Sequence, residues 1–229
     1  MIGSKCANYW LNWTINCILF AGRGWLQCVM EQPKYEEAIA YALARLANEL
    51  SPDLTYHNLW HTQDDVMISA VRLARELGFD EEEVALLQVA AAFHDLGFIE
   101  DVANHEIVGA RIVAQLLPKL GFSSRQIETV MGLILATRMP QSPRSLLEEV
   151  LADADLDLLG RPDFMARNAC LRQEWANEGR VVESKAWYEG QLAFMRGHQY
   201  FTAVAQRLRN ETKAHNIALL EEALRLLIP

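Results

Sequence analysis

From Tyr35 onward the apolar residues of this chain recur at three- and four-residue spacing, a period that commits the backbone to packed helices. Between Tyr35 and Leu50, Ala38, Ile39, Tyr41, Ala42, Leu43, Leu46 and Leu50 keep the helical spacing, and Ser51-Pro52-Asp53 stops it. A second helix is expected from about Asn58 to Leu77, carrying Val66, Ile68, Val71 and Leu73, with Gly78 as the break. Asp80 caps a third, which runs through Val84, Leu87 and Ala90-Ala91-Ala92 to His94-Asp95, with Gly97 ending it. The same reading predicts helices over 104–120, 124–137, 145–159, 163–178, 184–209 and 212–227. No stretch alternates apolar and polar residues between hairpin turns, so the expected fold is all-α, a compact helical bundle.

No internal repeat, low-complexity tract or linker divides the chain, and residues 30–229 are expected to form a single domain. Residues 1–29 read as an N-terminal extension, either the product of an upstream start codon ahead of Met30 or an added surface helix. Their uncharged run, Cys6 to Gly22, is dotted with Asn8, Asn12, Thr14 and Asn16 and falls short of the ~20 apolar residues of a membrane span. No integral membrane insertion is therefore expected. A net charge of -9 disfavours nucleic acid, whose backbone is held by clustered Lys and Arg. A small phosphorylated substrate stays compatible with that charge once a bound cation reverses the local potential. Cys6, Cys17, Cys28 and Cys170 form no CxxC pair and lie away from the histidines, so a reducing cytoplasm is the expected compartment. The oligomeric state leaves no sequence signal.

Four segments carry chemistry: YHNLWH at Tyr56–His61, FHDLGF at Phe93–Phe98, NHEIVGA at Asn104–Ala110 and DADLDLLG at Asp153–Gly160. Imidazole and carboxylate together hold a divalent transition metal while leaving positions open for water. His57 and His61 are four apart and share a face if the helix already includes His57. His94 and Asp95 are neighbours, which on a helix diverge by about 100° and reach one ion only across the edge between them. Asp155 sits inside the apolar frame Val150, Leu151, Leu156, Leu158, Leu159, where a carboxylate needs a partner or a cation. Asp153 and Asp157 are expected to support it or to lie at the surface. Trp187, Tyr188, Gln191, Phe194, His198 and Phe201 form a stripe expected to face the core.

The ordered set His61, His94-Asp95, Asp155 resembles the H…HD…D signature of the HD-domain metal-dependent phosphohydrolases, over about Tyr56 to Leu159. The YHN segment is also similar to that of the cyclic-nucleotide phosphodiesterases. The resemblance implies an HD-type bundle in which His61, His94, Asp95 and Asp155 hold one divalent metal, with manganese, iron, cobalt, nickel and zinc all compatible. It implies His57 as the proton donor to the leaving alkoxide and Asp95 or Asp155 as acceptor of the proton of the attacking water. Binuclear relatives place further histidines on the next two helices. Here His105 fills the first position, but Ala136-Thr137-Arg138-Met139-Pro140 stands at the second. A second tightly held ion is then not expected, which leaves open a weakly held magnesium or manganese, with His105 expected to contact the substrate phosphate and Arg138 read either as a second phosphate contact or as a solvated helix-terminal cap. The implied activity is hydrolysis of a phosphate ester of a nucleotide or another phosphomonoester. The alternatives are a cyclic-nucleotide phosphodiesterase, a non-catalytic metal-binding or regulatory module, and a di-iron oxygenase on the same scaffold.

Overall fold

The computed structural model describes residues 32–227, so the extension read over 1–29 lies outside the described residues. From Pro33 the chain is one compact unit. Nine α-helices follow one another among the described residues: α1 (Tyr35–Glu49), α2 (Met67–Leu77), α3 (Glu81–Phe93), α4 (His105–Leu116), α5 (Ser124–Ala136), α6 (Leu146–Asp155), α7 (Phe164–Asn177), α8 (Ser184–Gly197) and α9 (Ala203–Arg225). No described residue is in a strand. No described helix is long and apolar enough to cross a membrane.

Helix α3 is the spine of the bundle. Asp80 and Glu83 close a capping box at its start, the Asp80 carboxylate accepting from Glu83 N at 2.9 Å and the Glu83 carboxylate from Asp80 N at 3.0 Å. From Val89 to Phe93 every residue is fully buried, and α3 packs against α1, α2, α5 and α6. The alanines at 90–92 allow those backbones to come close, which brings the end of α3 to the middle of the bundle. Gly78 closes α2 with φ +78°, a left-handed conformation that costs glycine nothing sterically.

Three expected helices are broken where tertiary contacts outweigh local propensity. The segment leading into α2 widens over His61–Val66 into a π-helical turn, with Met67 N donating to Thr62 O. The helix read over 145–159 ends at Asp155 and tightens to a 3₁₀ turn over Asp157–Gly160. The helix read over 184–209 opens at His198 and restarts at Ala203, then runs unbroken past residue 210, where a boundary was expected. Asp153 causes that opening: its buried carboxylate accepts from Phe201 N and Thr202 N at 2.8 Å and from the Thr202 hydroxyl at 2.7 Å. The stripe on α8 does face the core through Trp187, but Phe201 at its end is 39% exposed.

Asp153 and Asp157, expected beside Asp155 as supporting or surface groups, are both 1% exposed and belong to the scaffold. Asp157 accepts from Ser69 Oγ at 2.9 Å, from Arg72 at 2.9 Å, and from Arg209 through Nε at 2.7 Å and an Nη at 2.6 Å. It thereby joins α2 to α9. Asp157→Ala is expected to destabilise the fold by about 3 kcal/mol, because it strands guanidinium groups around a buried void. Urea unfolding checks the loss, and unchanged metal uptake separates it from a site defect.

Candidate metal centre

Three elements deliver four side chains to one cluster, in which His61, His94 and Asp95 each offer a ligand atom within 4.8 Å of the other two and Asp155 stands against the two histidines. Asn58 starts the first by accepting from Trp60 N at 3.1 Å and His61 N at 3.3 Å through its side-chain carbonyl, which fixes the backbone ahead of His61. At the end of α3 His94 is still helical, while Asp95 leaves the helix with φ −100° and ψ 0°. That departure removes the expected divergence, and both neighbouring side chains reach the same place. Asp155 is the last residue of α6. Its Oδ1 lies 3.4 Å from both His61 Nε2 and His94 Nε2. Asp95 Oδ2 lies 3.2 Å from His94 Nε2 and 3.7 Å from His61 Nε2.

Three of these four separations, 3.2 to 3.4 Å, suit one shared cation, and the 3.7 Å between Asp95 and His61 lies just outside that range. Two ligands each ~2.1 Å from an ion stand about 3.0–3.4 Å apart in octahedral or tetrahedral geometry. The tautomers agree with that reading: His94 Nδ1 donates to Ala91 O at 2.7 Å, which turns Nε2 into the cluster. His94 Nε2 and Asp95 Oδ2 are buried without a hydrogen-bond partner among the described residues. A buried imidazole nitrogen and carboxylate oxygen left in that state cost free energy that a shared cation removes.

Electrostatics follows from the packing. Burial disfavours the charged form of His61, but the Asp155, Asp65 and Asp95 carboxylates around it outweigh burial and push its pKa up to about 9. His94 is raised in the same way, against burial, by Asp95 and Asp155. Burial would raise Asp95 and Asp155, yet the imidazoles beside them hold both far below the usual carboxylate range. In the metal-free protein a raised histidine pKa contributes stability that is complete below its ordinary 6.5 and lost as pH rises through about 9. On the order of 3 kcal/mol is involved, so chelator-treated protein should lose roughly 6–12 °C in Tm between pH 6.5 and 9. Added metal competes with those protons and should flatten or reverse the slope in the same melting series.

His57 does not share a helical face with His61, because it sits in the bent segment before the helix begins. Glu174 of α7 holds it there, accepting from Tyr56 N at 2.8 Å, His57 N at 2.9 Å and His57 Nδ1 at 2.5 Å. Burial of Glu174 opposes its ionisation, but the His57 ring and these two backbone N–H groups lower its pKa. His57 and His61 stand with ring centroids 5.8 Å apart. His105 approaches from α4, its Nε2 3.6 Å from Asp95 Oδ1 and 3.4 Å from Glu106 Oε1. Arg138 lies exposed just past α5, and no hydrogen bond or ion pair joins it to the cluster.

Glu174 and Asp65 were missed in the sequence. Glu174 follows Leu171 at helical spacing, an acid on an otherwise inward face, which is the signal that could have found it. Asp65 lies 3.5 Å from His61 Nδ1, paired in turn with Arg161, and is one helical turn on from His61.

Residues 65–157 match the HD domain family model. The chain carries an HD domain. The matched stretch includes His94, Asp95 and Asp155, while His57 and His61 precede it and Glu174 follows it. Three solved structures share the fold. A predicted HD superfamily hydrolase from an uncultured Thermotogales bacterium is 20% identical with TM-score 0.58, over 84% of this chain and 92% of that one. Bacillus subtilis YpgQ in complex with ADP is 17% identical with TM-score 0.59, over 85% and 98%. A Lactobacillus plantarum protein is 19% identical with TM-score 0.59, over 86% and 96%. No curated protein sequence matches the chain.

Proposed function

We propose that this HD domain is a metal-dependent phosphoric ester hydrolase acting on a small nucleotide or another phosphomonoester. The observation that carries the reading is the buried, unpartnered pair His94 Nε2 and Asp95 Oδ2, facing His61 and Asp155. His61, His94, Asp95 and Asp155 would hold a divalent transition metal. A cation of that kind supplies Lewis acidity and lowers the pKa of water enough to make it nucleophilic near neutral pH. The Asp95 carboxylate accepts the proton of the attacking water. His57, oriented through Nδ1 by Glu174, gives its Nε2 proton to the departing alkoxide. His105, with Asp95 and Glu106 beside it, is the place for a weakly held second magnesium or manganese, or for a contact to substrate phosphate. Arg138, without an ion pair among the described residues, is left to meet an incoming phosphoryl group. The ADP bound to Bacillus subtilis YpgQ, a protein of this fold, supports a nucleotide as substrate class.

The test is metal analysis after reconstitution with manganese, iron, cobalt, nickel or zinc, followed by assay on nucleotides, sugar phosphates and cyclic nucleotides. One tightly held equivalent and turnover of a monoester are expected. Protein that takes up no metal sinks the reading, and turnover confined to cyclic nucleotides moves it to the phosphodiesterases.

A further inference from the structure

We propose that Phe98 is a positioning residue that fixes the planes of His57 and His105 on either side of it, an inference that rests on the proton-donor role of His57. The Phe98 ring stacks on His57 with centroids 4.7 Å apart and planes 19° apart, and on His105 at 4.0 Å and 23°. The three rings form one continuous stack along the edge of the metal cluster. His57 is anchored at one ring nitrogen, Nδ1 to Glu174, and His105 has one hydrogen bond, Nδ1 to Val102 O at 3.0 Å, with longer contacts from Nε2 to Glu106 at 3.4 Å and Asp95 at 3.6 Å. One hydrogen bond fixes a point on a ring and leaves the plane free to swing. Both side chains are partly open to solvent, 26% for His57 and 21% for His105, so water offers each an alternative position. The faces of Phe98, itself 8% exposed, supply the missing constraint.

The backbone beneath is built for that stack. Phe98 N donates to Asp95 O at 3.0 Å, so the ring is placed by the same turn that directs Asp95 into the cluster. Gly97 lets the turn lie directly against the start of α4: a Cβ there would stand 2.0 Å from His105 O and 2.7 Å from its Cα. Any side chain at 97 pushes His105, and the ring stacked above it, away from Asp95. Phe98 therefore couples two histidines that come from different elements and share no hydrogen bond.

Proton donation matters most for a poor leaving group, and this separates positioning from mere packing. Phe98→Leu keeps apolar volume and removes the flat face, Phe98→Met is a second non-aromatic variant should Leu fold badly, and Phe98→Tyr restores the ring. The one tightly held metal equivalent should stay at wild-type level in all three. On a nucleoside 5′-monophosphate, kcat of the Leu and Met variants should fall on the order of 10²-fold with KM nearly unchanged. On 4-nitrophenyl phosphate the fall should be under about 10-fold, and Phe98→Tyr should recover most of both. Independently of turnover, the His57 and His105 ring signals in long-range ¹H–¹⁵N spectra should be single in wild type and Phe98→Tyr. They should shift and broaden in the non-aromatic variants. Equal losses on both substrates, or wild-type ring signals in Phe98→Leu, overturn the proposal. His57→Ala is run beside them: if it too shows no leaving-group dependence, the proton-donor reading has failed, whereas dependence in His57→Ala alone rejects only the role of Phe98.

Discussion

Asp155→Asn is expected to cost the protein its metal and, with it, measurable turnover. The side chain ends α6 with one oxygen 3.4 Å from both His61 Nε2 and His94 Nε2, so it faces two imidazoles at once. Asparagine keeps the shape and removes the charge. With only Asp95 left to balance a divalent cation among buried imidazoles, affinity should fall roughly 10²–10³-fold, the scale of an uncompensated buried charge. Wild-type protein at a hundredfold excess of metal over Kd gains about 2.7 kcal/mol on binding, and the variant at the same concentration should gain far less. Asp153→Asn is the control, since its hydrogen bonds cap the segment leading into α9 rather than face the cluster. It should melt lower yet bind metal normally. Should Asp153→Asn lose metal while Asp155→Asn keeps it, the ligand set must be redrawn around the other carboxylate.

The contrast between these two aspartates marks how far the sequence could be read. Helical period made the all-α class legible, because every long segment needed a buried face and none could alternate. His94-Asp95 and Asp155 stood out as ionisable groups in apolar surroundings, where burial demands a partner. What the period could not carry was tertiary. The opening of the chain at His198–Thr202 follows from backbone N–H groups being taken by Asp153, a residue some fifty positions away, while local propensity favoured a continuous helix. The turn of Asp95 out of α3 is also set by packing, and it changes two diverging neighbours into two converging ones. Glu174 was the largest omission. Its spacing from Leu171 was the one sequence signal, and a lone glutamate on a helix otherwise reads as a solvated group, whereas the fold buries it at 2% exposure against the Tyr56–His57 backbone.

That buried pair sets the second large effect, on the proton rather than the metal. His57→Ala should retain stoichiometric metal, because its ring lies beside the cluster with its Nδ1 held by Glu174. Turnover of an alkyl phosphate should then fall 10²–10⁴-fold, the usual share of a positioned general acid. A nitrophenolate leaves without help, so the loss on 4-nitrophenyl phosphate should be much smaller. Glu174→Gln refines the point: the amide oxygen still accepts from Tyr56 N and His57 N, but the carboxylate that orients His57 Nδ1 is gone. A 10–100-fold fall in kcat is expected, in the range seen when the partner that orients a functional histidine is removed. Because the backbone contacts survive, Tm should drop only slightly. Atomic absorption after dialysis, paired with kcat on the two leaving groups, reads all of this in one series. His57→Ala protein that loses its metal, or that hydrolyses the alkyl ester at the normal rate, leaves His57 no part as the acid and returns it to a hydrogen-bonded strut between α7 and the start of the π turn.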